Sequence, residues 1–254
     1  MRKLLMVLFS TSLLALSACG GNEISKEEVN QNVEDDVESV DINTEVNEEP
    51  KLKTADEASY AIKTEFTKEV QYYAVIKNTG KVAADLDDVV ITYTGKDGSV
   101  IAMDEVPYVA PYVLKPNQEA YVMSSSPIDV EPEEFDKAEM NISAIATGDN
   151  MVESVDTSNT KMSIESDQTE KTSDATISGK VINTLKDKTD VVLIGGALYD
   201  ENDKLLATTY DMIDSVLSPN QSVGFESSVQ DVPMEVLLKA KKLKVNASYY
   251  PEFE

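Results

Sequence analysis

The chain has 254 residues, with 47 acidic and 22 basic side chains, a formal net charge of −25, one Cys, and neither His nor Trp. That balance argues against a nucleic-acid surface, which needs cations to neutralise phosphates. Without His there is no Ser-His-Asp or Cys-His catalysis and no His-bearing zinc site, and a lone Cys excludes a disulfide framework.

Arg2 and Lys3, followed by an apolar run over residues 4–16, predict a signal peptide over residues 1–18. The run is too short for a spanning helix. It ends in Leu16-Ser17-Ala18-Cys19. This tetrapeptide resembles the lipobox of bacterial lipoproteins. The resemblance implies cleavage before Cys19, a diacylglyceryl group on its thiol, and often acylation of the new N-terminus. Two or more acyl chains suffice for stable anchoring. The expected location is therefore extracytoplasmic, lipid-anchored to the cell membrane. Low Arg, high Lys and the Gly20-Gly21 pair favour a monoderm envelope. The competing reading is an ordinary signal peptide that leaves Cys19 a free thiol.

Residues 19–57 read as a disordered acidic tether. They hold 13 acids against Lys26, Lys51 and Lys53, and no aromatic residue. Such a segment buries too little apolar surface to offset chain entropy. As a flexible coil it would reach roughly 35 Å, further under self-repulsion. A short helix within residues 27–40 is the alternative.

The remainder repeats itself. Tyr73-Ala-Val-Ile-Lys-Asn78 aligns with Ser178-Gly-Lys-Val-Ile-Asn183 at an offset of 105, and Val100-Ile-Ala102 with Leu205-Leu-Ala207 at the same offset. Leu114-Lys-Pro116-Asn-Gln118 aligns with Leu217-Ser-Pro219-Asn-Gln221, and two further blocks follow in the same order. Five ordered blocks imply two copies of one domain. Short strands punctuated by turns every 8–12 residues predict antiparallel β-sandwiches. Hairpin turns are expected at Gly95-Lys-Asp97-Gly98 and Asp200-Glu-Asn202-Asp203, and short helical crossovers after Pro132 and Pro233. The fold class expected is all-β: two tandem immunoglobulin-like sandwiches over residues 58–148 and 161–254, joined by a polar linker over 149–160, each modestly stable alone.

In the second copy, Ile177-Ser-Gly179-Lys-Val181-Ile-Asn183, Gly196-Ala-Leu198-Tyr199-Asp200 and Leu217-Ser-Pro219-Asn-Gln-Ser222-Val-Gly-Phe225 resemble the FxLYD domain of bacterial envelope lipoproteins. Gly196 stands where that family has Phe, and Asn220 where it often has Gly. The first copy is more degenerate, with Ile91-Thr-Tyr93-Thr-Gly95 at the Leu-Tyr-Asp locus. The resemblance implies a small immunoglobulin-like sandwich and no catalysis, and it carries structure rather than a ligand site.

No Gly-x-Ser-x-Gly and no phosphate-cradling glycine loop occurs, so neither an enzyme nor a cofactor is expected. Asp85-x-Asp87-Asp88 and Asp200-x-Asn202-Asp203 invite a calcium reading, but they lack calcium-loop spacing and read as turn residues. Lys239-Ala-Lys241-Lys242-Leu-Lys244 reads as solvated lysines rather than a lipid contact. Val106-Pro107-Tyr108-Val109-Ala110-Pro111-Tyr112-Val113 is the most apolar loop-like stretch. Tyr108 and Tyr112 would anchor a partner if exposed, or pack at a sandwich edge or between domains. The function expected is a non-catalytic binding or scaffold module of the envelope with a protein partner. A calcium- or small-ligand receptor and a carboxylate-based envelope hydrolase are the alternatives.

Overall fold

The structure is a computed structural model that describes residues 48–251. The expected signal peptide, Cys19 and the expected tether up to residue 47 lie outside the described residues, as do residues 252–254. Strands β1 (Leu52–Lys63), β2 (Lys68–Asn78), β3 (Ala83–Gly95), β4 (Val100–Asp104), β5 (Tyr108–Ala110), β6 (Val113–Leu114), β7 (Glu119–Pro127) and β8 (Phe135–Thr147) build the first half. Strands β9 (Glu153–Asp167), β10 (Thr172–Ile182), β11 (Thr189–Tyr199), β12 (Leu205–Leu217), β13 (Ser222–Pro233) and β14 (Lys242–Tyr249) build the second.

The fold is all-β and antiparallel. In the first half one sheet runs β1-β2-β7-β5; in the other, β3 pairs with β4, β6 and β8. The second half closes as a barrel, β10-β13-β12-β11-β14-β9. The seams of closure are short: Tyr210 opposite Ser228, and Val155 to Glu153 opposite Ala247 to Tyr249. Crossovers lie where the prolines set them, as a 3-10 turn at Pro132–Glu134 and a single helical turn, α1 (Met234–Leu237), after Pro233. Among the described residues no helix is long and apolar enough to cross a membrane.

The duplicated motifs fold alike at the level of single atoms. Asn78 and Asn183 are both fully buried. The Asn78 side-chain amide donates to the carbonyls of Val82 and Leu114, each at 2.8 Å; that of Asn183 donates to those of Asp187 and Leu217, each at 2.8 Å. The side-chain oxygens accept from the amides of Gly80 and Leu185, both at 2.9 Å. The amides of Asn117 and Asn220 return to the carbonyls of Asn78 and Asn183 at 2.8 and 2.7 Å. Asn117 and Asn220 take φ of 68° and 65°, the left-handed region that Asn tolerates better than most residues other than Gly. Gln118 and Gln221 close the turn by accepting the amides of Lys115 and Ser218. The motif Asn … Leu-x-Pro-Asn-Gln is thus a clamp that ties two strand ends together.

The two halves share packing. Strand β2 is buried on both faces. Val70, Tyr72, Ala74 and Ile76 enter the first-half core, whereas Tyr73 and Val75, with Tyr121 of β7, join the core cluster of the barrel. Hydrogen bonds cross the same boundary. Thr208 Oγ1 donates to the Val122 carbonyl at 2.5 Å, Tyr60 Oη to that of Leu206 at 3.1 Å, and Gln71 Nε2 to that of Gln230 at 3.1 Å. Gly195 marks the closest approach: a Cβ there would lie 2.7 Å from the Ala110 carbonyl oxygen and 2.8 Å from Tyr121 Cδ2. Gly196, where the resembled family has Phe, faces inward, and a Cβ would meet Ile177 Cδ1 at 2.6 Å. Ile177 occupies the room a large residue would take. All described residues belong to one compact unit.

Three features differ from the sequence expectation. Strand β1 starts at Leu52, so the end of the expected tether is strand: Lys53 and Glu57 are exposed, the half-buried Asp56 accepts the Leu205 amide at 3.0 Å, and Leu52 packs on the first-half core. The expected linker at 149–160 is a 3-10 turn, Asp149–Met151, followed by the first half of β9. Buried Val152 and Val155 anchor it, and its polar residues face out, which is why composition alone made it look like a connector. Asp85, Asp87 and Asp88 sit within β3 rather than at a turn, with a register shift between Leu86 and Asp88, the signature of a β-bulge.

Candidate binding groove

Between β4 and β6 the chain must pass Pro107 and Pro111. Neither can donate to a ladder, so β5 is held to three residues and the chain turns outward on either side of it. This places Tyr108 and Tyr112 on the line where the two halves meet. Tyr108 lies against Tyr210 of β12, ring centroids 5.0 Å apart and planes 34° apart. Tyr112 stacks on Tyr250 at 3.9 Å and 5°, and its amide donates to the Tyr250 hydroxyl at 2.8 Å. Each ring thus packs on a neighbouring ring at the boundary of the halves, yet Tyr108 remains 57% and Tyr112 41% exposed.

The four tyrosines, with Val106 and Met212, border a groove of about 580 Å³. Val106 and Met212 are themselves open to solvent, at 86% and 51%. Contiguous exposed apolar surface of this kind marks contact sites rather than scattered surface residues. Burial raises the phenol pKa of Tyr112, Tyr210 and Tyr250. Tyr210 belongs to Tyr210-Asp-Met-Ile-Asp214, the more polar repeat counterpart of the Tyr108 segment. Tyr250 follows the last strand and carries no motif; the adjacent Tyr249-Tyr250-Pro251 is its sole hint.

The acidic clusters have other duties. Asp200 Oδ1 accepts the amides of Asn202 and Lys204, which holds its carboxyl below the usual range, and Asp203 pairs with Lys242 at 2.7 Å. Among the described residues no group of three or more acidic, His or Cys side chains is arranged to hold a metal ion. A second concavity, near the β9–β10 turn, is lined by Glu65, Glu165, Asp167, Glu170, Asp174 and Asp231. Here Asp167 accepts the amides of Glu170 and Thr169 and is lowered by them, the opposite of what a general acid requires. Asp174 accepts the Asp231 amide, and Glu170 that of Glu65. The lysine cluster is partly spent too: Lys244 pairs with Glu119 at 3.2 Å and lies over the Tyr199 ring.

No protein-family model matches this chain, and no curated protein does. Among solved structures, it is similar to a chain of the T13 IBDV viral particle, at 8% identity and a TM-score of 0.21, over 81% of this chain and 65% of that one. A chain of the infectious bursal disease virus Gt strain gives 9% identity and 0.18, over 82% and 68%. The tandem CBM22-1-CBM22-2 domain of Xyn10C from Paenibacillus barcinonensis gives 10% and 0.12, over 81% and 86%. This chain thus spans slightly less than two thirds of the first. Scores at this level carry no argument about fold or function.

Proposed function

We propose that the protein is a lipid-anchored extracytoplasmic lipoprotein whose folded part is a non-catalytic binding module of the envelope, built from two tandem immunoglobulin-like domains. The anchor rests on Leu16-Ser17-Ala18-Cys19 and the domain reading on the sequence repeat and its duplicated clamp. The observation that carries the binding reading is the groove of four tyrosines at the boundary of the halves, where the exposed rings are pre-positioned by contact with neighbouring rings, one pair tilted and one stacked. Aromatic anchors fixed before binding lose little side-chain entropy on contact. Site-specific photo-crosslinking on intact cells tests this. A crosslinker at Tyr108 is expected to give a discrete protein adduct that is lost with Tyr112→Ala, while one at exposed Val216 gives none. In the same cells Cys19→Ser is expected to move the protein out of the membrane fraction. Equal adducts from both positions would overturn the groove, and retention of Cys19→Ser in the membrane would overturn the anchor.

A further inference from the structure

The groove has a rim of one sign. Asp87, Asp88 and Glu105 line it, and neither Lys nor Arg does. Elsewhere in the described residues carboxylates meet lysines, as in Lys115–Glu153, Lys242–Asp203 and Lys244–Glu119; these three do not. Behind the rim, burial pushes the Asp85 carboxyl above its ordinary range, and Asp87 adds to the shift. Asp85 in turn adds to the effect of burial in raising the Tyr112 phenol, so negative potential reaches the ring floor. A tyrosine face attracts a cation placed within about 6 Å of its centre, and nearby carboxylates strengthen that attraction. The same rim repels anionic lipid headgroups and anionic polymers. Val106 and Met212 extend the apolar contact beyond what a bare ammonium ion covers.

We propose, resting on the docking reading above, that the groove takes a Lys- or Arg-bearing segment of a partner protein. The cationic head would lie between the tyrosine faces and Asp87, Asp88 and Glu105, and flanking apolar side chains would cover Val106 and Met212.

The test uses the full lipidated chain in nonionic detergent and calorimetric titration with two blocked peptides, acetyl-Ser-Leu-Arg-Leu-Ser-amide and its Gln counterpart. The Arg peptide is expected to bind about tenfold more tightly at low salt, with most of that preference lost near 0.5 M salt. The combined Asp87→Asn, Asp88→Asn, Glu105→Gln variant is expected to bring the two peptides to equal affinity, and Tyr108→Ala to weaken both. These side chains are exposed, and circular dichroism checks that the variants remain folded. If both peptides bind alike and Tyr108→Ala weakens both, the cationic assignment is overturned while the docking reading stands. If the Arg peptide binds and Tyr108→Ala changes nothing, or if neither peptide binds, the groove itself is overturned as the site. Free arginine binding as tightly as the Arg peptide would overturn the claim that a protein segment is recognised.

Discussion

The two copies carry the same Asn-anchored clamp and part company after their hairpins. In the second, β12 runs unbroken from Leu205 to Leu217 and helps close a barrel. In the first, Pro107 and Pro111 divide the equivalent stretch into β4, β5 and β6. An unbroken strand spends its backbone donors on neighbours. Where the strand is broken, Tyr108 in the short β5 and Tyr112 between β5 and β6 lie at the breaks. The same clamp therefore sits in two differently closed halves, and the two prolines mark where the first departs from the second.

The clamp gives the largest test of how alike the copies are. Asn183→Ala removes two donated hydrogen bonds and one accepted bond at a fully buried site and leaves the Leu217 and Asp187 carbonyls unmet. The expected loss is about 3 kcal/mol in urea unfolding, and Asn78→Ala should cost the same. Because Tyr73, Val75 and Tyr121 join the barrel core, both variants should shift one shared transition. Two transitions, each moved by one variant alone, would show that the halves stand independently. Next in size is Gly195→Val. Its added carbons would press on the Ala110 carbonyl and the Tyr121 ring, with an expected cost of about 2 kcal/mol from overpacking. The repeat-equivalent residue, Val90, is part-exposed in β3, and Val90→Gly should cost about 1 kcal/mol or less.

A smaller contrast follows at the next strand. Thr208→Val deletes the bond to the Val122 carbonyl and should cost about 1 kcal/mol. Its equivalent in the first half, Met103, is half exposed, so Met103→Ala should leave the unfolding midpoint nearly unchanged.

What could be read in advance divides along the same line. The hairpins, crossovers and clamp depend on residues close in sequence, and each left a local signature: Gly98 and Asp203 in left-handed turns, Pro132 and Pro233 before crossovers, Leu-x-Pro-Asn-Gln before β7 and β13. The shared boundary depends on which outer faces meet, and no local rule fixes that. Its traces were present but ambiguous. The apolar run Tyr72 to Ile76 signals burial on both faces of β2, and Gly195-Gly196 signals close approach, yet neither names the partner surface. The second half of β9, over 161–166, reads as strand in the sequence; its first half has the composition of a linker because only alternate residues face inward. Tyr250 carries no local signature because its ring meets Tyr112 from the far end of the chain.

The smallest contrast concerns two equivalent aspartates and should differ in sign. Asp190 accepts the amide of Val191 at 2.8 Å, so Asp190→Asn weakens a charge-assisted bond and should destabilise slightly. Asp85 is held above its ordinary value of 3.8, first by burial and then by Asp87. A carboxyl with a raised folded-state pKa binds more protons folded than unfolded, so stability falls as pH climbs from the unfolded value through the folded one. Asp85→Asn removes that loss. Its stability should equal that of the parent well below pH 3.8, exceed it once pH has passed the folded-state value, and keep a constant advantage above. Thermal unfolding across pH 3 to 7 reads the difference directly. A destabilised Asp85→Asn at neutral pH would mean that the carboxylate at the β3 bulge makes a stabilising contact like that of Asp190. The acidic rim would then be held in place by the fold of the first half rather than strained against it.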